Sequence, residues 1–148
     1  MMIQVRRNVF ETNSSSTHSV TIFPGNKHIP DLEYLNIKTG EYGWEIEAYT
    51  SIDDKLSYAL TFALQYTDDP SNFEMINDLL MEKMPNCEIT YEGMHYEKLL
   101  DLDWDHLDLG YIDHQSVDEA SVIFLSKSNL ENFIFGQSSY FKTDNDNY

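Results

Sequence analysis

The sequence predicts an α+β domain: a mostly antiparallel sheet with two or three helices, arranged as a single pair of layers. Short apolar runs broken by Gly and Pro fill the first 50 residues, as strands require. Two segments of helical periodicity follow, over 51–66 and 71–84. The chain has 148 residues, 41% of them hydrophobic and 14% aromatic, which suffices for one core burying roughly 70% of the unfolded surface. The whole chain, 1–148, therefore reads as a single domain without a linker.

Residues 2–10 and 19–23 are expected as strands, joined by the wholly polar run ETNSSSTHS (11–19) and closed by Gly25 and Pro30. DLEYLNI (31–37) and WEIEAYT (44–50) are the third and fourth strands, linked by KTGEYG. Alternation sets Trp44, Ile46 and Ala48 against Glu45, Glu47 and Tyr49, so the first set is expected to face the core.

The period then changes. Ser51 is a natural N-cap, with Asp53 and Asp54 in a first turn where the helix dipole favours negative charge. Ile52, Leu56, Ala59, Leu60, Ala63 and Leu64 carry the apolar stripe towards Tyr66, and TDDP stops it. SNFE (71–74) reads as a capping box opening a second helix that runs to Pro85. CEITYEG is β-prone, and VIFL (122–125) is expected as a buried strand. SNLE (128–131) reads as a capping box for a short last helix ending at Gly136.

Nine Lys and Arg face 26 Asp and Glu, a net charge of −17, where solubility alone asks for a magnitude of about 2–8. Such a charge repels nucleic-acid backbones and anionic membranes and attracts basic surfaces. Direct nucleic-acid binding and membrane association are thereby disfavoured. No stretch approaches the ~18 apolar residues of a membrane span, and MMIQVRRNVF does not read as a signal peptide. The lone Cys87 excludes an internal disulfide and fits a reducing compartment, so a cytoplasmic location is expected. Asn13-Ser14-Ser15 matches a glycosylation acceptor, a match without meaning if the chain is not secreted.

Three regions carry candidate chemistry. In the polar run, Asn13, Ser14, Ser15, Ser16 and His18 supply donors, acceptors and one group that titrates near neutrality. Such residues cap their own backbone in turns, yet nine of them exceed the 2–5 residues a strand connection takes. At this density they also suit a phosphate or nucleotide. Arg6 and Arg7, the only arginines, lie just upstream, and an inward Arg7 would need Glu11 or a bound anion as partner. In this reading His18 is the proton carrier.

The second region is LDLDWDHLDL (100–109). Asp101, Asp103 and Asp105 match positions 1, 3 and 5 of a calcium loop. His106 stands where that loop needs glycine and Ile112 where it needs glutamate, so calcium is not expected. Alternation of Leu100, Leu102 and Trp104 with the aspartates suits an amphipathic edge strand guarded by charge. With Asp108 and Asp113 these aspartates form the densest acidic patch and the natural contact for a basic partner. The third region holds His95, His106 and His114, whose spacing does not fit a zinc site. No metal and no cofactor are expected.

RRNVFETNSSSTHSV (6–20) resembles the opening of a widespread family of uncharacterised small proteins of Firmicutes and their bacteriophages. Those proteins begin with a basic residue or two, then a phenylalanine and this polar run. NFIFGQSSYFKTDNDNY (132–148) is similar to the family's ending: a short helix, FLFG, a Ser-Tyr pair and TGNDN. Asp144 stands here where the family more often has glycine. The resemblance covers about 30 residues at the two ends and implies a phage or prophage setting, with no activity to carry over. It also implies that the ends belong together, as one composite site of Asn13, Ser14, Ser15, Ser16 and His18 with Ser139, Tyr140, Thr143 and Asn145.

Two functions follow as expectations. The first is an acidic, non-enzymatic inhibitor of a host defence protein, such as a nuclease, whose basic nucleic-acid-binding surface it occupies. The alternative is an enzyme or sequestering pocket for a nucleotide or phosphate ligand built from the two polar ends.

Overall fold

The structure, a computed structural model, describes residues 16–42, 47–66, 70–112 and 117–145. The expected strand 2–10, and Trp44, Ile46 and Asp113, lie outside the described residues. The element order is β1 (Ser16–Thr21), β2 (Tyr34–Ile37), β3 (Glu41–Tyr42), β4 (Glu47–Tyr49), α1 (Ile52–Gln65), α2 (Ser71–Lys83), β5 (Glu88–Tyr91), α3 (Tyr96–Leu100), β6 (Tyr111–Ile112), α4 (Val117–Ser121), α5 (Lys127–Phe135) and β7 (Tyr140–Asn145). Single 3₁₀ turns lie at Trp104–His106 and Val122–Phe124. The class is α+β, with an antiparallel sheet in the order β1-β7-β4 and two parallel pairs, β2-β5 and β3-β6.

Helix α1 is the centre of the fold. The Ser51 hydroxyl accepts the Asp54 N–H at 3.1 Å, capping the first turn as its sequence position predicts. From Lys55 to Leu64 every residue except Ser57 is buried, so the helix is enclosed on nearly all sides. The other two long helices start elsewhere than expected. In α2, Ser71 is already helical, Pro70 is the N-cap, and the Glu74 N–H donates to the Pro70 carbonyl at 2.8 Å. Proline's fixed φ suits a helix entry, so the start lies one residue upstream of the expected box. In α5 the cap is Ser126, whose hydroxyl accepts the Asn129 N–H at 3.0 Å. Two serines competed for that role, and the earlier one added about half a turn of helix.

Two expected strands are not strands. VIFL forms the 3₁₀ turn Val122–Phe124 and its exit, with Ile123 buried and Phe124 stacked 5.6 Å from Phe62. A four-residue apolar run has no period to separate strand from buried turn. LDLDWDHLDL runs from the end of α3 through the 3₁₀ turn Trp104–His106. The Trp104 indole N–H donates to the Leu99 carbonyl at 2.8 Å, and its ring meets Phe73 edge-on at 5.7 Å. Those two contacts fold the segment back on itself against α2.

β4 also turns the other way. Glu47 and Ala48 are exposed, and Tyr49 packs inward. Its register decides this: Tyr49 pairs with Phe141 of β7 and stacks on that ring at 4.5 Å. The opposite face of Phe141 stacks on Tyr58 of α1 at 4.0 Å, and Tyr42 meets all three rings edge-on. This four-ring cluster fastens the sheet to α1. Glycine is required at one crossing: at Gly110 (φ +81°) a Cβ would collide with the Gly40 backbone, whose carbonyl accepts the Tyr111 N–H at 2.8 Å.

Candidate functional site

The two polar ends lie side by side. β1 and β7 pair antiparallel from Ser16 opposite Asn145 to Thr21 opposite Tyr140, with His18 opposite Thr143. The second half of the expected nine-residue loop is therefore strand. Arg6, Arg7, Glu11, Asn13, Ser14 and Ser15 lie outside the described residues.

Three of the candidate polar side chains, His18, Ser139 and Thr143, are turned onto the protein itself. His18 is buried, and its Nδ1 shares a hydrogen bond of 3.0 Å with the Tyr58 hydroxyl. The Thr143 hydroxyl, also buried, donates to the Glu47 carbonyl at 3.3 Å. Ser139 is fully enclosed: its hydroxyl accepts the Phe23 N–H at 2.9 Å and reaches the Phe23 carbonyl at 3.4 Å. Burial, followed by the charge of Glu119, pushes the Tyr58 phenol far above its ordinary range, so it stays protonated beside His18.

Sequence reasoning missed the group that joins these ends to the core. Lys55 is 1% exposed, and its ammonium donates to the Gly136 carbonyl at 2.9 Å and the Ser139 carbonyl at 3.0 Å. Burial lowers its pKa to about 8. The signal was present, since Lys55 stands three residues after Ile52 and four before Ala59, inside the apolar stripe of α1.

The acidic segment is assembled differently from the edge strand expected. Asp101, Asp103, Asp105 and Asp108 are all exposed along the turn after α3, and the Asp103 carboxylate accepts the Asp105 N–H at 3.1 Å. Phe73 of α2 receives Tyr96 at 4.8 Å as well as Trp104, which sets this turn beside the first turns of α2. Tyr96 records the local field: burial first, then Glu74, Asp78 and Glu97, raise its phenol pKa. Carboxylates from α2 and α3 thus act electrostatically on a ring next to the aspartate turn.

Charge is distributed unevenly. From Glu88 to Glu119 there are ten Asp and Glu and one lysine, Lys98. Three of the other lysines gather where α2 ends and α5 begins. There Lys27 and Lys83 bind Glu131 at 2.9 and 3.3 Å, and Lys127 binds Glu82 at 2.6 Å. Lys127 chiefly holds the Glu82 carboxyl below its ordinary range, and Lys27 does the same for Glu131. Positive charge is spent at that corner.

A groove of about 230 Å³ opens between β2 and the start of α1, lined by Leu35, Asn36, Ile37, Lys38, Asp53, Leu56 and Ser57. None of the sequence candidates among the described residues lines it. Among the described residues no three His, Cys, Asp or Glu side chains converge as metal ligands, and no helix is long and apolar enough to cross a membrane. No family model, curated protein or solved structure matches the chain.

Proposed function

We propose that the protein is an acidic inhibitor whose working surface is the carboxylate face spanning Glu74 and Asp78 of α2, Glu97 of α3 and the Asp101–Asp108 turn, and that it occupies the basic nucleic-acid-binding surface of a host protein. The one-sided charge carries this reading. Ten carboxylates against one lysine over 88–119 cannot neutralise one another, while three lysines are sequestered by Glu82 and Glu131. A defence nuclease is the natural partner in the phage setting that the ends suggest, and the lone Cys87 fits action in the host cytoplasm. The alternative, a nucleotide site between the polar ends, is less favoured because His18, Ser139 and Thr143 bond to groups of the protein itself.

Charge-steered association weakens with ionic strength, because about 0.1 M salt screens exposed charges beyond roughly 10 Å. The immobilised protein, challenged with bacterial extract, is expected to retain a basic partner at 50 mM NaCl and lose it by 300 mM, and added nucleic acid should compete it off. The variant D101N/D103N/D105N/D108N should retain less. A partner held equally at both salt concentrations and indifferent to nucleic acid overturns the proposal.

A further inference from the structure

Among the described residues β2 has a strand on one side only, β5. On that side the Glu33 and Ile37 carbonyls accept the Glu88 and Glu92 N–H groups, each at 2.9 Å, and the Thr39 N–H donates to the Glu92 carboxylate at 2.6 Å. A trans peptide points its C=O and N–H to opposite sides, so Lys38 turns both of its main-chain groups away from β5. Asn36 does the same by the alternation of a parallel ladder. No hydrogen bond within the described residues reaches these four groups. The edge is nonetheless fixed in shape. Asn36 Oδ1 accepts the Thr90 hydroxyl at 2.8 Å and the Gly93 N–H at 2.9 Å, and the Tyr34 hydroxyl shares a bond of 3.1 Å with that of Thr90. This edge forms one wall of the groove beside α1, next to the buried Leu35, Ile37 and Leu56. Asp53 is exposed on the other wall, and Asp31 and Glu33 are exposed just before β2; against them stands Lys38.

Unpaired main-chain groups on an ordered strand edge recognise another main chain, and an adjoining apolar floor recognises one of its side chains. Going beyond the reading of the acidic face, which uses none of the groove residues, we infer that the β2 edge is a docking site for an extended, cationic peptide segment of another protein. The segment takes the position of a third strand and bonds to the main chain of Asn36 and Lys38. One apolar side chain seats on Leu35, Ile37 and Leu56, and cationic residues turn towards Asp53 and the Asp31–Glu33 approach. Charge decides the occupant: a second copy would bring a further −17 to the same edge and is repelled, whereas a basic segment is attracted.

The test uses the full chain and the amidated, fluorescein-labelled peptide KVKLKVK, followed by fluorescence anisotropy at about 0.1 M NaCl. The same peptide N-methylated at every residue keeps its charge and loses its main-chain donors, and should bind about tenfold more weakly. In the protein, K38P removes the free edge N–H and leaves the ladder to β5 intact, while K38Q removes the charge alone. K38P should bind about tenfold more weakly than K38Q, and D53N about threefold more weakly than wild type. Circular dichroism checks folding of the variants, and the two-peptide comparison on wild type does not depend on it. In amide NMR spectra KVKLKVK should shift Asn36, Lys38 and Ser57 and leave Asp101–Asp108 in place. Equal binding of the two peptides, no binding of KVKLKVK, equal affinities of K38P and K38Q, or shifts centred on the aspartate turn each overturn the inference. Shifts at Asn36 and Lys38 on raising the protein concentration without peptide would make a second copy the occupant and overturn it too. None of these outcomes touches the salt-dependent capture that tests the acidic face.

Discussion

Replacing Lys55 with methionine keeps most of the length of the side chain and removes its charge and its donors, and its effect should depend on pH in a defined way. In the folded protein the ammonium is enclosed and held by the Gly136 and Ser139 carbonyls, and its pKa falls from 10.5 to about 8. The unfolded chain keeps that proton up to its ordinary value, so between pH 8 and 10.5 the unfolded state binds more protons. Wild-type stability therefore gains up to about 1.4 kcal/mol per pH unit from this group, with a ceiling of about 3 kcal/mol across the window. Other groups act in the opposite sense: the Cys87 thiol and the Tyr58 and Tyr91 phenols are all pushed up by burial, so their contributions decline as pH rises past their ordinary values. They are present in both proteins and cancel in the difference. Urea denaturation followed by circular dichroism at pH 7, 8, 9 and 10 supplies the comparison, provided the denaturant slopes agree. The gap between wild type and Lys55→Met should move in favour of wild type by about 2 kcal/mol from pH 8 to 10. Parallel curves, with a gap constant to about 0.5 kcal/mol, would show that the ammonium carries no burial cost and refute the reasoning.

Phe141→Ala removes the ring clamped between Tyr49 and Tyr58. It should cost about 3–5 kcal/mol, seen as a large fall in the thermal midpoint; a loss below about 1 kcal/mol would mean the four-ring cluster is not what fastens the sheet. Ser139→Ala leaves the Phe23 N–H without its partner. A loss of about 1–3 kcal/mol is expected in urea denaturation, and an unchanged midpoint would free Ser139 from the structural role described above.

Local signals were legible wherever the residues that decide an element are close in sequence. Ser51 with Asp54, the 3.6-residue stripe of α1 and the stop before Pro85 are of this kind, and they made the helical half of an α+β fold readable in advance. The charge asymmetry is likewise a property of the chain alone. Where two local signals competed, as at Pro70 against Ser71 or Ser126 against Ser128, the caps differ in a fraction of the energy of one turn, and packing chose.

Non-local pairing decided the rest. The period-2 pattern of LDLDWDHLDL is compatible with a strand until Phe73, 31 residues away from Trp104, gives the indole a ring to pack on. Tyr49 faces inward because Phe141 lies opposite it, and a strand three residues long cannot choose its own face. Lys55 looks like a surface lysine until the Gly136–Ser139 turn, some 80 residues further on, supplies two carbonyls. The sequence alone determined the fold class, the principal helix and the sign of the net charge, because composition and short-range spacing set them. Only the tertiary structure decided which polar groups serve the core and which apolar residues of the aspartate turn are covered, because burial depends on what the rest of the chain brings to each residue.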